Sequence, residues 1–186
     1  MTTGAVYGEG TVAERGDGKL ILTYRATSAE HQADASRRVA IGHPGNWELL
    51  DTGRYWRAQI IDSWSHAAQI SHTVGGSRRL IFLNSASRTR WNRYAMKLRA
   101  STDDGETWAT YGRLLSDAPL ANEGNRVGDL REGGYSALAS TGSGTVYALV
   151  EARRVQVANP SIDSLNNSPC AIVLRRFDAS WITAQA

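Results

Sequence analysis

Apolar and polar residues alternate through short stretches of this chain, and the stretches come in pairs joined by glycine-rich turns. Val6 to Glu14 alternates into Arg15-Gly16-Asp17-Gly18, and Lys19 to Arg25 returns. His66 to Ser71 runs into a turn at Val74-Gly75-Gly76-Ser77 and comes back through Arg79 to Asn84. Tyr135 to Ala139 turns at Thr141-Gly142-Ser143-Gly144 and comes back through Val146 to Glu151. A period of two bounded by such turns predicts β-hairpins, because glycine supplies the backbone angles that a tight reversal needs.

Each hairpin is followed by an irregular crossing, one further strand, a turn and a tryptophan. The three versions are Val39-Ala40-Ile41 leading to Trp47, Met96-Lys97-Leu98 leading to Trp108, and Ile172-Val173-Leu174 leading to Trp181. In the middle version, Tyr94 to Ala100 carries Tyr, Met and Leu on one alternation and Ala, Lys and Arg on the other, as in a half-buried strand. The turn after it, Ser101-Thr102-Asp103-Asp104-Gly105-Glu106-Thr107-Trp108, pairs Ser101 and Asp103, which accept backbone N–H bonds, with Gly105 for a positive φ and Trp108 for burial. It resembles the Asp-box, a structural turn repeated in β-propeller blades. Gly42 to Gly45 and Phe177 to Ser180 read as decayed copies. The expectation is therefore all-β: a β-propeller of four-stranded antiparallel blades, about three of them, spanning 1–60, 61–120 and 121–186 as one partial domain. A sandwich is the competing all-β architecture, but it requires no such recurrence.

Composition narrows the partners. The 186 residues carry 21 Lys and Arg against 18 Asp and Glu, a net charge of +3, which tolerates an anionic ligand and gives no nucleic-acid footprint. One cysteine, Cys170, excludes an intrachain disulfide, and the four histidines, His31, His43, His66 and His72, lack zinc-ligand spacing, so neither a metal nor a cofactor is expected. No stretch from Met1 onward has the apolar core of a secretion signal or the length of a membrane span, so no membrane insertion is expected.

Folding the first hairpin about Asp17 sets Glu9 opposite Arg25, and folding the third about Ser143 sets Tyr135 opposite Glu151. Both pairs lie at open ends, away from the turns. If blades surround an axis, these ends converge, bringing four chemically capable residues to one face. The plain alternative is that each is an ordinary salt-bridged or strand-favouring residue. Glu14 abuts a turn and so belongs to the opposite end. Trp56, Trp64 and Trp91 are loop or edge aromatics, suited to core packing or to lining a sugar pocket.

The order Glu9, Asp17-Gly18, Arg25, then Arg93 ahead of the Asp-box, then Gly134-Tyr135-Ser136 and Glu151 resembles the C-terminal half of the six-bladed exo-α-sialidases, over nearly the whole chain. The resemblance implies Glu9 as general base, Tyr135 as nucleophile, Arg25 and Arg93 (rather than Arg88 or Arg90) as two of three carboxylate-binding arginines, and Glu151 as support. It also implies sialic-acid-containing glycans as partners. The residue types suit the task. A phenol avoids the like-charge repulsion that a carboxylate nucleophile would meet beside the substrate carboxylate, and it needs a neighbouring base because its ordinary pKa is near 10. Arginine's planar fork can bond both carboxylate oxygens. Two family parts find no match here, the first arginine and the aspartate that protonates the leaving group. The expectation is either a fragment or a chain whose missing N-terminal half comes from elsewhere. A non-catalytic Asp-box propeller that binds acidic glycans is the alternative from another class.

Overall fold

The computed structural model describes residues 8–26, 36–43, 49–55, 60–74, 76–86, 96–113, 130–154 and 170–178. These form eleven strands: β1 Gly10–Glu14, β2 Leu20–Tyr24, β3 Arg38–Gly42, β4 Leu49–Tyr55, β5 Ala68–Val74, β6 Ser77–Ser85, β7 Met96–Ser101, β8 Ala109–Arg113, β9 Leu130–Ser140, β10 Val146–Arg154 and β11 Cys170–Phe177. They pair into three antiparallel sheets, β1-β2-β3-β4, β5-β6-β7-β8 and β9-β10-β11, each in chain order. The chain is all-β among the described residues, with each sheet built from one segment of sequence, as in propeller blades. Trp47 and Trp181 lie outside the described residues, and so does half of each decayed turn.

The outer hairpins close in the same way. Arg15 N–H donates to Lys19 O at 2.8 Å and Gly18 N–H to Arg15 O at 3.1 Å; Thr141 N–H donates to Thr145 O at 2.9 Å and Gly144 N–H to Thr141 O at 3.0 Å. Gly18 and Gly144 stand at equivalent places with φ of 77° and 91°, a region that side chains resist. Two turns 126 residues apart thus use one hydrogen-bond pattern, the local counterpart of the sequence repeat.

The core lies between sheets. Ala13, Ile21 and Val39 of the first sheet meet Leu80, Phe82 and Trp108 of the second, while Ile81, Leu83, Met96 and Leu98 of the second meet Val146, Ala148 and Val150 of the third. The middle sheet is therefore covered on both faces, and Leu80-Ile81-Phe82-Leu83 is a continuous apolar run for that reason. The same double cover corrects one expectation. The alternation placed Arg99 on the polar side of a half-buried strand, yet it is only 2% exposed.

The Asp-box braces this arrangement. Ser101 Oγ accepts from Gly105 N–H at 2.7 Å, Asp103 Oδ1 from Thr107 N–H at 2.8 Å, and Trp108 Nε1–H donates to Gly105 O at 3.1 Å. Trp108 then stands edge-on to Phe82, ring centroids 5.7 Å apart. Asp104, at a φ of 58°, reaches beyond its own sheet to accept Gly16 N–H at 2.7 Å, clasping the first hairpin turn to the second sheet. On the far side, buried His72 donates from Nε2 to Gly144 O at 3.1 Å and clasps the third turn.

Candidate active site

The first strands of the sheets are neighbours, β1 beside β5 and β5 beside β9, so the segments at their open ends meet. There Arg25 N–H donates to Glu9 O at 3.0 Å, continuing the β1–β2 register by one pair. The side chains follow, with Arg25 Nη1 2.9 Å from Glu9 Oε2. The other carboxylate oxygen, Oε1, accepts the Tyr135 hydroxyl. Glu9 thus holds the arginine and the phenol together, although Tyr135 is 126 residues away on the third sheet.

Tyr135 is 40% exposed, so its hydroxyl is accessible while its backbone is fixed. The β9–β10 register pairs Val150 with Ser136 and then shifts, with Ala152 opposite Glu132. Glu151 sits at this irregularity and turns a carboxylate oxygen onto Tyr135 N–H at 3.1 Å. Gly134 makes this possible. Its φ is 121°, and a Cβ there would fall 2.1 Å from Glu151 Oε2.

Two residues on the segment leading into β5 complete the cluster. Trp64, at a φ of 58°, lies under Arg25, with the guanidinium carbon 4.4 Å from the ring centroid, and its Nε1–H donates to Ala26 O at 2.8 Å. A cation over an indole face is stabilised by the ring quadrupole, so Trp64 fixes the plane of Arg25. His66 tilts against the Tyr135 ring with centroids 5.3 Å apart. Burial and the charge of Arg37 push its imidazole below the ordinary value, against opposing contributions from Glu9, Ser136 and Glu151, so it is neutral near pH 7.

Of the residues singled out in the sequence, the structure brings together Glu9, Arg25, Tyr135 and Glu151. Arg93, Arg88, Arg90, Trp56 and Trp91 lie outside the described residues. Glu14 stands at the turn end, where its carboxylate is 3.4 Å from Arg78. Four further members escaped the sequence reading: His66, Arg37, Asp62 and Ser65. Arg37 is wholly buried, with Nη1 3.4 Å from Asp62 Oδ2 and Nη2 3.4 Å from Glu9 O. Asp62 Oδ1 accepts from Asn84 Nδ2 at 2.9 Å, and Asn84 Oδ1 accepts from Arg99 at 2.5 Å, so a buried polar chain runs from the site into the middle sheet. Among the described residues no group of three or more His, Cys, Asp or Glu side chains is arranged to hold a metal ion, and no helix is long and apolar enough to cross a membrane.

A phenol that donates to a carboxylate, with a guanidinium beside that carboxylate, is an arrangement that can generate an oxygen nucleophile next to an anionic ligand. No protein-family model matches the chain. Among curated proteins, it is 33% identical over 174 residues to an exo-α-sialidase of Arthroderma benhamiae, and equally to one of Aspergillus fumigatus. Each match takes in 94% of this chain, which spans 37% of the length of either relative. Solved structures agree on the fold. A variant NanB sialidase of Streptococcus pneumoniae superposes with a TM-score of 0.64 at 16% identity, covering 95% of this chain and 24% of that one. A leech intramolecular trans-sialidase in complex with 2,7-anhydro-Neu5Ac gives 0.62 at 18% identity, covering all of this chain and 25% of that one. In sequence the chain is thus similar to one stretch of the curated exo-α-sialidases, and in fold to part of the sialidase β-propellers.

Proposed function

We propose that the protein containing this chain releases terminal sialic acid from glycans, with Tyr135 as nucleophile and Glu9 as its base. The observation that carries the reading is the hydrogen bond from the Tyr135 hydroxyl to Glu9 Oε1. In the proposed step the Tyr135 oxygen bonds to the anomeric carbon as the glycosidic bond breaks, the phenolic proton passes to Glu9, and the aglycone departs with the bonding electron pair as an oxyanion. Water then attacks the tyrosyl-linked carbon: the departing phenolate takes its proton back from Glu9, and the proton released by water neutralises the aglycone oxyanion through solvent. Sialidases depart in this way from the two-carboxylate scheme of most glycosidases.

Arg25 supports the reading as a clamp on the substrate carboxylate, stacked on Trp64 and already beside Glu9. Arg93 is proposed as a second clamp arginine on its position ahead of the Asp-box alone. Glu151 is proposed as support, fixing the Tyr135 backbone. A module that only bound acidic glycans through Arg25 and Arg93 would draw nothing from the phenol–carboxylate bond, so that bond favours catalysis.

No residue of the chain matches the family's proton donor to the leaving group. An activated aryl sialoside, whose phenolate departs with little protonation, is therefore the substrate that this chain by itself turns over best. General acid assistance is worth about a hundred- to ten-thousand-fold, so natural sialosides lag by that order. Assaying the chain on both classes tests this. Equal rates would place a proton donor within these residues, and loss of aryl turnover in Tyr135→Phe is the expected signature of the nucleophile.

A further inference from the structure

Glu9 precedes the first sheet and Tyr135 lies in the third, so something must hold the two sheets in register for the phenol to meet the carboxylate. The direct bond between them is exposed and does not supply that rigidity. The buried groups beneath it do. Arg37 Nη2 donates to Glu9 O at 3.4 Å, and its Nη1 donates to Ser65 O at 2.5 Å. Ser65 in turn donates from Oγ to Gly134 O at 3.1 Å, on the residue before Tyr135. Arg37 and Ser65 are both fully buried. The path Glu9–Arg37–Ser65–Gly134 spans all three sheets and contacts neither reacting atom.

We propose that Arg37 and Ser65 are positioning residues, a buried strut that sets the distance between the Glu9 carboxylate and the Tyr135 hydroxyl. The inference rests on the reading of that pair as the reacting groups. Asp62 belongs to the strut as the counter-ion that lets a guanidinium be buried: without it, Arg37 would be an uncompensated charge. Arginine is needed because one planar head must reach Glu9, Asp62 and Ser65 together, which a lysine ammonium on its flexible stem does not.

The test compares two neighbouring serines. Ser63 is as buried as Ser65, but its hydroxyl has no hydrogen-bond partner. Ser63→Ala and Ser65→Ala thus remove the same atom from the same segment, and only the second breaks the strut. With ζ-13C-tyrosine incorporated, the Tyr135 resonance, identified by its loss in Tyr135→Phe, reports the phenol's hydrogen bond without any need for turnover. In Ser65→Ala and in Arg37→Lys it moves toward its position in Glu9→Ala, whereas Ser63→Ala leaves it in place. On an aryl sialoside the two strut variants lose about ten- to a hundred-fold in kcat with KM little changed, the scale of a small misplacement of reacting groups. A Tyr135 resonance unmoved in both folded strut variants overturns the proposal, whatever happens to their melting temperature. So does a shift of equal size in Ser63→Ala. Absence of turnover in the unaltered chain would count against the sialidase reading, while the resonance would still decide the strut.

Discussion

The carboxylate of Glu151 occupies the space where any side chain at position 134 would begin, 2.1 Å from an ideal Cβ on Gly134. Gly134→Ala therefore pushes Glu151 off Tyr135 N–H and also places a side chain at a φ of 121°. The backbone strain alone is on the order of 1–3 kcal/mol. Thermal unfolding should show that loss. Adding Glu151→Ala should recover only the steric part, leaving the double variant less stable than Glu151→Ala alone.

Asp104 holds the first hairpin turn through Gly16 N–H at 2.7 Å from a left-handed backbone position. Asp104→Asn keeps an acceptor and a residue type that tolerates this conformation, so its stability should stay within a few tenths of a kcal/mol of the parent. Asp104→Ala loses both and should cost about 1–2 kcal/mol, from the hydrogen bond together with the backbone preference. Equal melting temperatures for the Asn and Ala variants would show that the clasp contributes nothing.

Burial lowers the His72 imidazole below its ordinary 6.5 more than the bond to Gly144 O raises it, and nearby Arg79 adds to the lowering. His66 shifts in the same direction, with burial again the largest cause. Between the folded and unfolded values the unfolded chain binds more protons, so stability rises with pH through that window. On acidification, stability should be full above about pH 6.5 and fall below it, levelling once the folded-state histidines are also protonated. His72→Gln, which keeps a donor for Gly144 O without titrating, should flatten part of that slope in denaturant melts taken from pH 8 to pH 5. A slope unchanged by His72→Gln would mean that another group carries it.

Asp103 acts lower on the scale. Burial raises its carboxyl, but the bonds from Thr107 and Ser101 outweigh that and hold it below 3.8. Its contribution is present above that value and lost as pH falls through the folded one. A second acid step, absent in Asp103→Asn, is the expected outcome in the same melts.

Hairpin arithmetic made much of the site legible, because antiparallel pairing fixes partners by a constant sum of residue numbers. Glu9 faces Arg25 by the same rule that pairs Gly10 with Tyr24, and Tyr135 reaches Glu151 just where the β9–β10 register breaks. Arg37, Asp62 and Ser65 were not legible in this way. Arg37 and Ser65 act through side-chain bonds to backbone carbonyls 28 residues or more distant, Asp62 acts through the side chains of Arg37 and Asn84, and the segment from 60 to 67 has neither period nor glycine to mark its turn. Its positive φ falls on Trp64, a residue that ordinarily avoids it. Arg99 was misplaced because alternation assumes one wet face, and the middle sheet has none. The one signal available was an apolar run on the adjacent strand β6 with no polar alternation, which marks a sheet covered on both sides.

The central claim is that Tyr135, activated by Glu9, attacks the substrate. It is tested most directly by incubating the chain with an activated fluorinated sialosyl donor and locating the covalent product by peptide mass spectrometry. The account predicts one sialosyl adduct, on the peptide and side chain of Tyr135, absent in Tyr135→Phe and strongly slowed in Glu9→Gln. An adduct on a different residue, or one that persists in Tyr135→Phe, would contradict it.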